Sequence, residues 1–138
     1  MIKTLGAKDA HAVKVLQEAE AFPGPSLVIA YAHCIAHGVD MAHGLVQQKA
    51  ATQCGHWPLY RYDPRQRSVA GAHPLTLDSK APSQPFATYA REETRYQLLT
   101  SAGGEALSHE VDLDIAARWR LIQALAGAAE PALDRVGQ

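Results

Sequence analysis

The sequence predicts an α/β fold: a partial layered sheet of at least two strands flanked by helices, followed by an extended wrap and two C-terminal helices. Three observations predict it. A helical pattern near the start stops at Pro23-Gly24-Pro25 and gives way at once to the apolar run Ser26-Leu27-Val28-Ile29-Ala30-Tyr31. A second helical pattern and a second extended segment repeat that rhythm over residues 39–62. The chain has 138 residues, 47% of them apolar, which is enough for one hydrophobic core and too little for two.

The first helix begins with Asp9 as its expected cap and carries Ala12, Val15, Leu16 and Ala19 at the spacing of one helical face. The run that follows reads as a strand covered on both faces, because strands inside a parallel sheet are apolar throughout. A second helix is expected over residues 39–54, bracketed by Gly38 and Gly55, with Ala42, Leu45, Val46 and Ala50 on one side. Trp57-Pro58-Leu59-Tyr60-Arg61-Tyr62 reads as extended, at a sheet edge because Pro58 has no amide hydrogen to donate. The doubled unit predicts a mainly parallel sheet.

Residues 65–85 hold Gly71, Pro74, Pro82 and Pro85 with little periodicity and read as an extended connection. Two helices are expected after it, over residues 86–99 and 105–126. The second carries Val111, Ile115, Trp119, Ile122 and Ala126 as an amphipathic stripe. The break between them is Ser101-Ala102-Gly103-Gly104, and the tail after Gly127 reads as frayed. No internal repeat is visible. The whole is one unit over 1–138, with a core at about 6–64, the connection at 65–85, helices at 86–126 and a tail at 127–138. Two candidate strands are fewer than the roughly 4–6 of a typical sheet, so further strands are expected from upstream.

A net charge of -1 and a pI near 6.6 provide no electrostatic basis for binding nucleic acid or an anionic membrane. The opening Met1-Ile2-Lys3-Thr4-Leu5-Gly6 lacks the apolar segment of a secretory signal, and no run approaches membrane-spanning length; the expected location is cytoplasmic. Two cysteines, Cys34 and Cys54, cannot make a disulfide framework.

Cys34 follows the apolar run, in Ala32-His33-Cys34-Ile35-Ala36-His37-Gly38, and open α/β sheets bind ligands beyond the carboxyl ends of their strands. Several readings of it are open. It can be a small buried packing residue. It can be a nucleophile on a strand-to-helix elbow with His33 or His37 as base, although His33 and Ile35 stand where such elbows carry small residues. With His37, Cys54 and His56 it can supply four zinc ligands, although the spacing of Cys54 and His56 is too short for a common knuckle. Among the other polar residues, His11, His73 and His109 read as solvated, and Lys49 as part of an exposed helix face. Arg61 is expected to pair with Asp63 or an aromatic ring. Glu92 and Glu93, near Arg91 and Arg95, read as helix-stabilising charges. No separated carboxylate pair suggests acid–base catalysis.

Three blocks carry a family likeness. They are Pro25-Ser26-Leu27-Val28-Ile29-Ala30-Tyr31-Ala32-His33-Cys34-Ile35-Ala36-His37-Gly38, Gln47-Gln48-Lys49-Ala50-Ala51, and Gly55-His56-Trp57-Pro58-Leu59-Tyr60-Arg61-Tyr62-Asp63-Pro64. In this order and spacing they resemble pyruvate:ferredoxin (flavodoxin) oxidoreductase, and Leu77-Asp78-Ser79-Lys80-Ala81-Pro82 and Arg95-Tyr96-Gln97-Leu98-Leu99 extend the likeness, which runs from about Gly6 to Ala126. The resemblance implies the C-terminal part of a thiamine-diphosphate-binding domain. The parent enzyme is then a large, homodimeric cytoplasmic one. It converts pyruvate to acetyl-CoA on thiamine diphosphate with magnesium, and passes electrons through [4Fe–4S] clusters to ferredoxin or flavodoxin.

The resemblance also implies that Cys34 is a ligand of the cluster nearest the thiamine cofactor. A cluster ligand is a thiolate, and a sulfur near a helix amino end, shielded by Ile35 and its neighbours, would suit that role. Cys54 matches no ligand position. The family's other cluster cysteines and its Gly-Asp-Gly magnesium motif lie upstream of the region matched, so the chain alone is expected to be inactive, with the remainder of the oxidoreductase as its partner. The alternatives are a non-catalytic α/β interaction or dimerisation module and a small zinc-binding domain.

Overall fold

In a computed structural model describing residues 1–6, 8–97, 101 and 104–127, four strands make one sheet in the order β2-β1-β3-β4. Strand β1 (Ile2–Leu5) leads into helix α1 (Asp9–Glu20), which crosses to β2 (Leu27–Ala30), paired parallel to β1 with Ile2 opposite Leu27 and Leu5 opposite Ala30. A helix can turn the chain back along the same direction, which a hairpin cannot. Strand β3 (Tyr60–Tyr62) runs antiparallel on the other side of β1, and β4 (Leu75–Leu77) antiparallel to β3.

The fold class is the one the sequence predicts, and several details differ. Only one of the three strand pairings is parallel, so the sheet is not mainly parallel. Strand β1 escapes the sequence reading because four residues of mixed polarity show no clear period. Strand β2 is not covered on both faces: it ends the sheet, with Leu27 54% and Ile29 37% exposed. The segment expected at an edge lies inside instead. Pro58 stands outside β3, and its carbonyl accepts the hydroxyl of buried Thr4, which in turn accepts the Tyr60 amide. The expected connection over 65–85 contains a 3-10 turn, Pro64–Ser68, and then β4, so much of it is a β-hairpin.

Helix α1 presents Val15, fully buried, toward the sheet, whereas Leu16 is exposed; Lys8 holds the cap position and Asp9 opens the first turn. The second helix starts as a 3-10 turn, Met41–His43, and continues as α2 (Gly44–Gln53). Its inward face is not the apolar one: Leu45 and Val46 are exposed while Gln47, Ala51 and Thr52 are buried. The expected helix over 86–99 is only α3 (Phe86–Ala90), followed by a 3-10 turn, Thr94–Tyr96. Leu98 and Leu99 lie outside the described residues, as does the tail beyond Gly127. The last helix, α4 (Glu105–Leu125), agrees closely with its expected span, with Ile115 and Trp119 of the stripe buried.

The core cluster lies where α2, α3 and α4 meet, built from Ala51, Cys54, Phe86, Tyr89, Ala90 and Ile115. Tyr31 and Trp57 pack on its margin. The cluster therefore adjoins the segment that leaves β2 for Cys34.

Candidate functional site: the Cys34 loop

After β2 the chain stays extended through Cys34, then makes one 3-10 turn, Ile35–His37, closed by Gly38 at φ 70° and ψ 38°. Cys34 is a free thiol exposed to solvent. The shielding expected from Ile35 is absent in the chain by itself, since that side chain is 75% exposed. The sulfur sits at the amino end of that single 3-10 turn and not of the α-helix: α2 starts only at Gly44, ten residues on, with the His33 ring where a glycine-to-alanine methyl would have to stand.

The loop is held from behind at both ends. At the near end, Gln48 Nε2 donates to the Tyr31 carbonyl at 3.0 Å, and the Tyr31 hydroxyl is hydrogen-bonded to that of Tyr89. Tyr89 spends its own proton on Glu93 at 2.7 Å, so Tyr31 is the donor of the pair. At the far end, Thr94 Oγ1 donates to the His37 carbonyl at 3.3 Å, and Gly38 packs so closely on Thr94 that a Cβ would fall 1.7 Å from that oxygen. Gly38 thus meets two demands at once, a left-handed backbone and no side chain.

Glu93 anchors this arrangement. The carboxylate is 1% exposed and accepts from Tyr89, from Gln47 Nε2 at 3.2 Å and from Arg95 Nε. Gln47 also donates to the Tyr89 carbonyl at 2.9 Å, which explains why α2 turns a polar residue inward. Burial, then the hydrogen bonds to Tyr31 and Glu93, raise the Tyr89 hydroxyl far above the ordinary phenol range; burial likewise raises Tyr31. Glu93 is therefore a buried hub and not the helix-surface charge expected from its neighbours, whereas Glu92 and Arg91 are exposed.

The four residues considered for zinc do not converge. Cys54 is buried, its thiol directed to the Ala51 carbonyl at 3.4 Å and its pKa raised by burial. His56 stacks on Tyr89 with centroids 5.1 Å apart, and burial, reinforced by the charges of Arg118 and Arg95, lowers its pKa. Among the described residues no three His, Cys, Asp or Glu side chains gather as a metal site. The nucleophile reading fares no better, because the turn after Cys34 is a single 3-10 turn and offers no elbow onto a helix.

Sequence reasoning missed a second ionic group. Arg61 pairs not with Asp63 but with Asp78, at 2.7 and 2.9 Å, and with Glu18 at 3.1 Å. His11, expected to be solvated, is half-buried and 2.9 Å from Asp78. Burial alone would raise the Asp78 pKa, yet the hydrogen bonds from Arg61 and His11 bring it below the usual carboxylate range. These contacts tie α1 to the β3-β4 hairpin, and the separation of these residues along the chain hid them. Asp63 pairs instead with Arg65 at 2.7 Å. His73, His109 and Lys49 are exposed, as expected.

No family model matches the chain. Individual relatives do. A pyruvate-flavodoxin oxidoreductase of Rhodospirillum rubrum is 44% identical over 128 residues, covering 91% of this chain and 11% of the relative. A probable pyruvate-flavodoxin oxidoreductase of Escherichia coli is 42% identical over 130 residues, 92% of this chain and 11% of the relative. The chain is a segment of the pyruvate:ferredoxin (flavodoxin) oxidoreductase family. A pyruvate:ferredoxin oxidoreductase of Moorella thermoacetica, 44% identical over 95 residues, matches 69% of this chain and 8% of its own length. The chain therefore spans about a tenth of the curated oxidoreductases it matches. Among the described residues no helix is long and apolar enough to cross a membrane.

Proposed function

We propose that the chain is the last part of the thiamine-diphosphate-binding domain of a pyruvate:ferredoxin/flavodoxin oxidoreductase, and that it contributes Cys34 as one thiolate ligand of a [4Fe–4S] cluster. The observation that carries this reading is the combination at Cys34 of a solvent-facing thiol with a loop fixed from behind by Glu93 and Thr94. A sulfur so placed fits one corner of a cluster, because a second polypeptide surface can reach it without the loop rearranging. It does not fit a whole site, since a four-iron cluster takes four thiolates and this chain offers one at that place.

The division of labour follows. The remainder of the oxidoreductase supplies the other thiolates and holds thiamine diphosphate and magnesium, in a cytoplasmic homodimer whose electrons leave to ferredoxin or flavodoxin. When bound, thiamine diphosphate supplies carbanion stabilisation and the cluster one-electron transfer. This chain's residues position: Tyr31, Gln48 and Thr94 fix the Cys34 loop, and exposed Ile35 becomes the wall that keeps water from the cluster once the partner surface closes over it. Alone, the chain carries no pyruvate oxidation.

The test is anaerobic co-expression of the chain with the rest of the oxidoreductase, followed by iron content and visible spectrum for wild type and Cys34→Ala. Loss of one cluster's iron and absorbance in the variant is expected. An unchanged cluster would remove the ligand assignment.

A further inference from the structure

Strand β2 is an end strand with the sequence of an interior one. Its residues Leu27-Val28-Ile29-Ala30 are apolar without interruption, a composition that belongs to strands with neighbours on both sides and cover on both faces. Natural end strands are usually blunted by a charge, a proline, a bulge or a covering element. The other end of the sheet is blunted in this way: β4 is three residues long, is preceded by Pro74, and has α4 packed near it. Strand β2 carries no charge or proline within its length, and although α1 packs against it, no strand pairs with its outer edge among the described residues.

The backbone gives the open edge a definite chemistry. The Leu27 amide donates to the Met1 carbonyl at 2.9 Å, toward β1. Alternation along the strand then turns the Ile29 amide toward β1 as well, and the amide and carbonyl groups of Val28 and Ala30 outward. A row of donors and acceptors flanked by exposed Leu27 and Ile29 is a template for one more strand.

We infer that this edge receives a strand from the rest of the oxidoreductase, so that the sheet continues past β2 into the polypeptide that completes the enzyme. The inference rests on the proposed function above. Two observations favour that occupant over a second copy of the chain. The relatives carry about nine-tenths of their length outside the matched region, which is ample polypeptide to supply strands. The open edge also leads directly into the Cys34 loop, so the same partner surface that adds a strand meets the exposed sulfur and Ile35.

Ala30→Pro tests this. The substitution removes an outward amide hydrogen and leaves the bonds to β1 untouched, at a position where a strand tolerates proline. The chain is co-expressed with the Rhodospirillum rubrum oxidoreductase from which the matching stretch is deleted, and captured through a tag on that partner. Wild-type chain is expected in the complex, Ala30→Pro at least tenfold less, and Leu121→Lys, on exposed α4, at the wild-type level. Hydrogen exchange on the wild type is a second measurement: the Val28 and Ala30 amides exchange quickly in the chain alone and slowly in the complex. No capture of wild-type chain removes the proposed function and this inference with it. Capture that survives Ala30→Pro, with both amides still exchanging quickly, removes the inference alone. A wild-type dimer of the chain that Ala30→Pro dissolves assigns the edge to a second copy and overturns it.

Discussion

Glu93 has three donors aimed at its carboxylate and almost no contact with water, so its loss strands the Tyr89 hydroxyl and one arm of Gln47. Glu93→Ala should destabilise the chain by roughly 2–3 kcal/mol, the cost of leaving buried donors unmade, read from urea unfolding. A change under about 0.5 kcal/mol would mean that water replaces the carboxylate. His56 gives a prediction in pH. Its folded pKa lies below the ordinary 6.5 because burial disfavours the cation, so the unfolded chain takes up the proton first as pH falls. The stability due to neutral His56 is complete above about pH 6.5 and is lost as pH drops toward its folded pKa. Thermal unfolding should therefore show a lower Tm at pH 5.5 than at 7.5, with a shallower decline in His56→Gln; equal slopes would place the acid sensitivity elsewhere.

At the scale of elements, the Cys34 loop and the turn at Thr94 behave as one unit, since each fills the space the other leaves. Gly38→Ala adds a left-handed strain of about 1 kcal/mol and drives a methyl into Thr94. Combining it with Thr94→Ala should recover part of the loss, and a double-mutant cycle measures the coupling. Strict additivity would show that the two segments do not bear on each other. Here the sequence was only half legible. Gly38 could be read as a bracket of the second helix, but its partner Thr94 lies 56 positions away and no period connects them. The same holds for α2, whose buried Gln47 contradicts the amphipathic pattern until Tyr89 and Glu93 are seen to satisfy it. Helix α4 was legible almost to the residue, because twenty-one residues repeat one period many times.

The whole molecule divides its two cysteines by accessibility, and that division is measurable. In the chain alone, an alkylating reagent should modify Cys34 promptly and Cys54 only on unfolding; in the assembled, cluster-bearing enzyme Cys34 should be protected too. Prompt labelling of Cys34 in that enzyme would argue against its ligand role. The α/β class was legible in the repeated rhythm of helix, break and apolar run, and the family in the blocks around Cys34. Strand order was not, because β1 and β4 are three or four residues long and acquire meaning only through pairing. The apolar run of β2 has the pattern of an interior strand, and the chain alone leaves it at the end of the sheet. The ring of Trp57 lies against Tyr31, with centroids 5.4 Å apart, and Tyr31 is three residues before Cys34, at most about 11 Å along the chain. An iron–sulfur chromophore at Cys34 would thus lie within energy-transfer range of a built-in fluorophore. If Cys34 holds a cluster as proposed, tryptophan emission should fall as the cluster assembles and recover when it is lost, an optical reporter of maturation that fluorescence during anaerobic reconstitution would check.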